Sequence, residues 1–216
     1  MIRVALVDDQ PLLRSGVAMA LGSQADLEVA WQADDGAQAL EHQRCDPVDV
    51  VVMDVRMPVL DGIAATERIC AGWPGTRVLV LTTFDLDEHA LAALRAGASG
   101  FLLKDAPAEQ LITAVRHVAA GDAVLAPAMT ARLLRQFVAA APRTGTAALA
   151  SLTAREREIT RLIAQGLTNP EIAASLYLSL TTVKTHVRAI LRKLRARDRV
   201  QIVIAAYEGG LADQQR

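Results

Sequence analysis

Only two cysteines, Cys45 and Cys70, occur in the 216 residues, and no Cys-x-x-Cys pair is present. That excludes a disulfide scaffold and a cysteine zinc site, and it suits the reduced thiols of a cytoplasmic protein. No stretch approaches the roughly 20 apolar residues that cross a bilayer. The opening residues, MIRVALVDDQ, place two acids directly after a short apolar run, unlike a signal peptide. No membrane association is therefore expected. Lysine is scarce, 3 residues against 20 arginines, and asparagine occurs once, at Asn169. Where arginine is the default cation, a lysine marks a place that wants a compact point charge. Net charge is nearly lacking too, at −1. It excludes a nucleic-acid binder only if the charge is spread evenly.

It is not spread evenly. Residues 1–121 hold 9 Lys and Arg against 17 Asp and Glu, a balance of −8; residues 122–150 balance at +2 and residues 151–216 at +5. An acidic front and a basic back imply two domains with different partners. The segment between them, with the run AAAPRTGTAALAS, reads as a linker preceded by a short helix near Pro127 to Val138. At 52% hydrophobic and 22% charged residues the chain has enough apolar material for real cores.

In the front half, apolar β-branched runs alternate five times with helix-period stretches. The predicted strands are Ile2 to Val7, Leu27 to Ala33, Val48 to Met53, Val78 to Leu81 and Gly100 to Leu103; the predicted helices are Pro11 to Leu21, Gly36 to Gln43, Gly62 to Ala71, Leu86 to Ala96 and Pro107 to Ala120. Unbroken apolar runs such as VDVVVM belong to strands buried on both faces, and five such units predict a parallel sheet with helices on both sides. Ligands of such sheets gather at the carboxyl ends of the strands. Asp8, Asp9, Asp54, Thr82, Thr83 and Lys104 occupy those ends. Carboxylates crowded on one rim repel each other and call for a cation, and hard oxygen donors suit Mg2+.

The order Asp8-Asp9, then Asp54-Val55-Arg56-Met57-Pro58-Val59-Leu60-Asp61-Gly62, then Thr82, then Phe101-Leu102-Leu103-Lys104 resembles the receiver domains of two-component response regulators. The resemblance implies a flavodoxin-like fold over residues 1–121 and makes Asp54 the phosphoacceptor. It also implies Mg2+ held by Asp9, Asp54 and the backbone carbonyl of Arg56, with Asp8 assisting. Thr82 and Lys104 would contact the phosphoryl group. Phe101 would be the aromatic switch that, coupled to Thr82, reports phosphorylation to the face containing the Leu86 to Ala96 helix and the fifth strand. Asp105 follows Lys104 where many receivers have proline, and Phe101 lacks a tyrosine hydroxyl, so a switch there rests on packing.

Four helices are predicted in the basic half. Thr153-Ala154-Arg155-Glu156 is a capping box. Asn169 and Pro170 read as the cap and first residue of a short second helix, Ser179 caps a third, and Asp198 starts a fourth. On the third, Val183, Val187, Ile190, Leu191 and Leu194 share one face while Lys184, Arg188, Arg192 and Arg195 form a neighbouring stripe. A short helix, a turn and a basic amphipathic helix make a helix-turn-helix plan. The motifs LTAREREI, GLTNPEIAASL and LSLTTVKTHVRAILRKL resemble the LuxR-type DNA-binding domain, and the whole chain is similar to NarL/FixJ-type response regulators. By that resemblance Lys184, Thr185 and Arg188 face base edges, while Thr181, Thr182 and Arg192 are placed for phosphates. On the fourth helix Val200, Val203, Ile204 and Tyr207 face the core, leaving Ile202, Ala205 and Ala206 as a second apolar strip; in this family such a helix pairs two domains.

The expectation is a non-enzymatic, cytoplasmic transcription regulator. A sensor histidine kinase phosphorylates Asp54, and a homodimer then binds promoter DNA with inverted or direct half-sites. Two alternatives stand beside it: a receiver-containing transcription factor that binds DNA without phosphorylation control, and an Asp-nucleophile phosphatase. The second is disfavoured because position 56 is Arg, where an Asp-x-Asp site needs an acid, and no GxxxxGK loop offers a nucleotide site.

Overall fold

Runs of apolar β-branched residues form the sheet of the first unit, as their two-faced burial demands. The computed structural model describes residues 1–82, 92–121 and 149–212. Thr83, the start of the Leu86 to Ala96 helix and the short helix expected near Pro127 to Val138 lie outside these residues. The chain divides into two units, Met1–Val124 and Leu125–Arg216.

The first unit runs β1 (Ile2–Val7), α1 (Pro11–Gly22), β2 (Leu27–Ala33), α2 (Gly36–Cys45), β3 (Val50–Asp54), α3 (Gly62–Gly72), β4 (Arg77–Thr82), helical residues 92–95 (α4), β5 (Gly100–Leu103) and α5 (Ala108–Ala119). The strands form one parallel sheet in the order β2-β1-β3-β4-β5, the flavodoxin-like order. Every residue of β3 is buried. Its alternate side chains serve two cores: Val50 and Val52 join Leu111 and Val115 of α5, one side of the sheet, and Val51 and Met53 point the other way. Asp35 and Asp61 cap α2 and α3, accepting from the N–H groups of Ala37 and Gln38, and of Ala64. These caps start both helices close to the strand ends that carry the acids.

The second unit holds α6 (Ala154–Ala164), α7 (Asn169–Ser175), α8 (Leu180–Leu194) and α9 (Arg199–Glu208). The Thr153–Glu156 capping box forms as expected, and Ser179 and Asp198 cap α8 and α9. The cap of α7 differs from expectation. Thr168 is the N-cap and forms a second capping box with Glu171, so Asn169 and Pro170 are the first two helical residues. A box needs an acid three residues after the cap, which Thr168 has and Asn169 lacks. The Asn169 Oδ1 instead accepts from the Arg199 guanidinium at 2.9 Å, which ties α7 to α9.

The apolar strip expected on α9 does not exist as a surface. Ile202 and Ala206 are both 0% exposed, and Ala205 is half-buried. The helix packs on both α6 and α8, which cover two flanks and consume the residues that a two-faced reading left over. Among the described residues no helix is long and apolar enough to cross a membrane.

Candidate functional site

The strand order reverses between β1 and β3, and the acids stand at that switch point. Asp8 follows β1 and Asp54 ends β3; both are buried, while Asp9 is exposed. Oxygens of the three carboxylates lie within 4.8 Å of one another. Lys104, directly after β5, reaches across with its ammonium Nζ 2.7 Å from Asp54 Oδ2 and 2.8 Å from Asp8 Oδ2. Gln10 N–H donates to Asp8 Oδ1, and Val55 N–H to Asp54 Oδ1 at 2.7 Å.

One ammonium against three carboxylates leaves the rim short of positive charge. Burial pushes the Asp54 carboxyl above the usual range, and the Lys104 ammonium and Val55 N–H only partly oppose this, with Asp8 adding repulsion. Burial disfavours the Lys104 cation, yet contact with Asp54 and Asp8 outweighs that and holds its pKa up. Asp8 Oδ2 is buried, with the Lys104 ammonium 2.8 Å away on one side and further lone-pair capacity on the other. A buried oxygen with free lone pairs beside two further carboxylates fits a hard divalent cation such as Mg2+.

Thr82 ends β4, buried, and Lys104 N–H donates to its carbonyl at 2.8 Å. Phe101 is buried too, paired with Val80 in the β4–β5 register. Thr82 lies one pleat beyond Val80, so Thr82 and Phe101 share a sheet face. Arg56, two residues after Asp54, is exposed.

Three contributions were not read from the sequence, although two of the residues, Val59 and Gly62, stand in the quoted motif. Arg14, in the first turn of α1, donates to the carbonyls of Asp8 and Ala33 and pairs with Asp34 at 2.6 Å, fixing the end of β1 to the end of β2. Its partners are distant in sequence, and nothing local signals them. Gly62 is obligatory: a Cβ there would sit 1.8 Å from the Asp54 carbonyl oxygen. Val59 occupies the left-handed region at φ 63°, with Leu60 N–H donating to the Pro58 carbonyl around it at 2.7 Å. A β-branched residue is poorly suited to that conformation, and Val59 is 86% exposed with no burial to offset the strain. Val59→Gly is expected to stabilise the first unit by about 1 kcal/mol, read as a higher melting temperature. An unchanged or lower value would show that the turn is unstrained.

In the second unit α8 buries Val183 and Ile190 and half-buries Val187, Leu191 and Leu194. Thr181, Lys184, Thr185, Arg188 and Arg192 are exposed. Among the described residues Lys184, Arg188 and Arg192 make no ion pair. Thr182 is half-buried, its hydroxyl 2.8 Å from Ser179 Oγ in the helix cap. Lys193 turns inward: its ammonium sits 2.6 Å from Glu156 Oε2, the oxygen that also accepts from Thr153 N–H. Burial opposes ionisation of Glu156, but Lys193 and the Thr153 cap hold its carboxyl below the usual range. The ion pair therefore clamps the basic helix to the start of α6.

The family profile for the response regulator receiver domain matches residues 4–116, and that for bacterial regulatory proteins of the luxR family matches residues 150–206. The chain is 41% identical over 211 residues to the uncharacterized transcriptional regulatory protein YxjL of Bacillus subtilis (strain 168), covering 97% of both chains. It is 38% identical to the oxygen regulatory protein NreC of Staphylococcus carnosus (strain TM300), covering 98% of this chain and all of that one. Among solved structures it resembles the response regulator ChrA of a heme-sensing two component system at a TM-score of 0.53 and 41% identity, over 97% of this chain and 98% of that one.

Proposed function

Because the chain belongs to the response regulators that join a receiver domain to a LuxR-type DNA-binding domain, we propose that it is switched by phosphorylation at Asp54. Residues 1–121 act as the receiver, 122–150 as the connection and 151–216 as the DNA-binding domain. The observation that carries the reading is the Lys104 ammonium held between Asp54 and Asp8 at 2.7 and 2.8 Å.

An Asp54 carboxylate oxygen attacks the phosphorus of a phosphohistidine presented by a sensor histidine kinase, and the phosphorus–nitrogen bond breaks as the new phosphorus–oxygen bond forms. Lys104 neutralises one phosphoryl oxygen, and the Thr82 hydroxyl donates to another. Asp8, Asp9, Asp54 and the Arg56 carbonyl would hold Mg2+, which supplies positive charge against the transferring group. Movement of Thr82 toward the phosphoryl group frees space on the sheet face it shares with Phe101, so repacking of Phe101 carries the change outward.

In the second unit Lys184, Thr185 and Arg188 read base edges in the major groove, and Thr181, Thr182 and Arg192 hold phosphates. Two copies of the chain would engage paired promoter half-sites in the cytoplasm. Wild-type chain incubated with acetyl phosphate and Mg2+ is expected to gain one phosphoryl group by intact mass, and none when a chelator replaces the metal. Selection from a random duplex pool is expected to enrich one motif, more strongly after the phosphodonor. Failure to gain the group, or enrichment of no motif in either state, would overturn the corresponding half of the reading.

A further inference from the structure

Helix α1 opens without a side-chain cap: Gln10 makes no capping bond, and no acid stands in the first turn. The helix's single charge is Arg14, a cation in that first turn, where the helix dipole disfavours positive charge. Its side chain is nonetheless only 15% exposed. The rim of the sheet holds it there. One guanidinium nitrogen donates to the Asp8 carbonyl, and to the Ala33 carbonyl at 3.4 Å, while the other terminal nitrogen sits 2.6 Å from an Asp34 oxygen.

These bonds complete the fastening of Asp8. Its N–H donates to the Ala33 carbonyl at 3.2 Å, its Oδ1 accepts from Gln10 N–H at 2.8 Å, and its Oδ2 lies 2.8 Å from the Lys104 ammonium. The remaining polar group is the carbonyl, and Arg14 takes it. Asp9 has no such fastening: it is exposed, and among the described residues its carboxylate has no hydrogen bond or ion pair. One of its oxygens nevertheless lies within 4.8 Å of oxygens from Asp8 and Asp54. A peptide unit is planar, so the direction of the Asp8 carbonyl fixes the direction of the Asp9 N–H and Cα.

We propose that Arg14 is a positioning residue for the Mg2+ site, fixing Asp9 beside Asp8 and Asp54 through the Asp8 carbonyl; the inference rests on the Mg2+ reading above. The guanidinium fork suits the task, since one planar group bonds the ends of β1 and β2 and the Asp34 carboxylate together. Charge alone argues the opposite way. A cation beside three carboxylates repels a divalent ion, so a guanidinium acting only through its charge would loosen Mg2+, and its removal would tighten binding. Positioning and charge therefore predict opposite signs.

The test is a Mg2+ titration of the full-length chain without phosphodonor, followed by the backbone amide signals around Asp8 and Asp9, with thermal melts run alongside. Arg14→Gln should raise the Mg2+ dissociation constant about 10-fold, the scale on which losing a group that orients a metal ligand acts. Arg14→Lys keeps the charge but not the fork and should raise it about 3-fold. The Mg2+ concentration giving half-maximal phosphorylation by acetyl phosphate should rise by the same factors. In an Asp9→Asn background, Arg14→Gln should change the constant by less than about 2-fold, because the carboxylate it positions is gone. A purely structural brace would lower the melting temperature in either background and leave Mg2+ affinity where it was. Unchanged or tighter binding in Arg14→Gln, or an undiminished loss in the Asp9→Asn background, overturns the proposal. If Arg14→Gln gives no cooperative melt, the Lys variant decides by the same criteria. Wild-type chain whose signals do not move with Mg2+ overturns the Mg2+ reading itself.

Discussion

Replacing Asp54 by Asn is expected to eliminate the phosphoryl adduct completely while leaving the first unit folded and, at neutral pH, more stable. The amide nitrogen and oxygen cannot replace the carboxylate as nucleophile, so intact mass after acetyl phosphate and Mg2+ should show no gain. The stability half follows from burial. Asp54 is 4% exposed, and its carboxyl is pushed up first by that burial, with Asp8 adding to the rise and Lys104 opposing it. A carboxyl whose pKa is raised on folding binds its proton more tightly in the folded state than in the unfolded chain. Its ionised form therefore subtracts from stability above the folded pKa, and the loss is relieved as pH falls through that value. Asn keeps an oxygen for the Val55 N–H, removes one of the crowded charges and leaves Lys104 paired with Asp8. A gain of about 1 kcal/mol at neutral pH is the expected scale, shrinking toward acid pH. Mg2+ should raise the melting temperature of wild type far more than that of the variant, since ligand binding stabilises only through the intact site. Thermal melts from acid to neutral pH, with and without Mg2+, check each part. An adduct on the Asn variant sinks the phosphoacceptor assignment, and a variant less stable than wild type at neutral pH sinks the electrostatic account.

The two kinds of site were legible to different degrees, for reasons that lie in how far each residue's partners are in sequence. Asp8, Asp54, Thr82 and Lys104 could be placed together because a parallel sheet brings successive strand ends to one rim, and the strands announce themselves as apolar runs. The exposed stripe of α8 was readable from helical periodicity alone. Contacts made across the fold were not. Arg14 resembles any cation on a helix flank until the Asp8 and Ala33 carbonyls are brought to it. Lys193 is one cation among several in the sequence of the basic helix, and only the arrival of Glu156 from α6 turns it into a clamp. Backbone sign is a third category: Val59, Tyr177 and Arg195 are positive-φ residues, and none carries the Gly or Asn that would have announced it. Thr168 is different, since its box with Glu171 was visible in the sequence and the neighbouring Asn169-Pro170 pair obscured it.

Ile202→Glu is expected to unfold the second unit and spare the first. On a helix with one buried flank, Ile202 and Ala206 would be free to meet a second copy; with α9 packed on both α6 and α8, they are interior. A carboxylate at a fully buried position is stripped of water. Loss of the apolar burial and the cost of the uncompensated charge sum to about 4 kcal/mol or more. A unit of this size, with four helices among its described residues, has little reserve against such a loss, because small domains bury a low fraction of their surface. The first unit has its own core around the sheet, so the variant should still take a phosphoryl group on Asp54 while losing the cooperative melt of the second unit and all sequence-specific DNA binding. Ile202→Val, which removes one methylene and adds no charge, should cost about 1 kcal/mol and keep both. Two-dimensional amide spectra of the full chain separate the outcomes: collapse of the second unit's dispersed signals supports an interior Ile202. A Glu variant that stays folded, melts near wild type and only self-associates less would return Ile202 to the surface and restore the dimer strip expected from sequence.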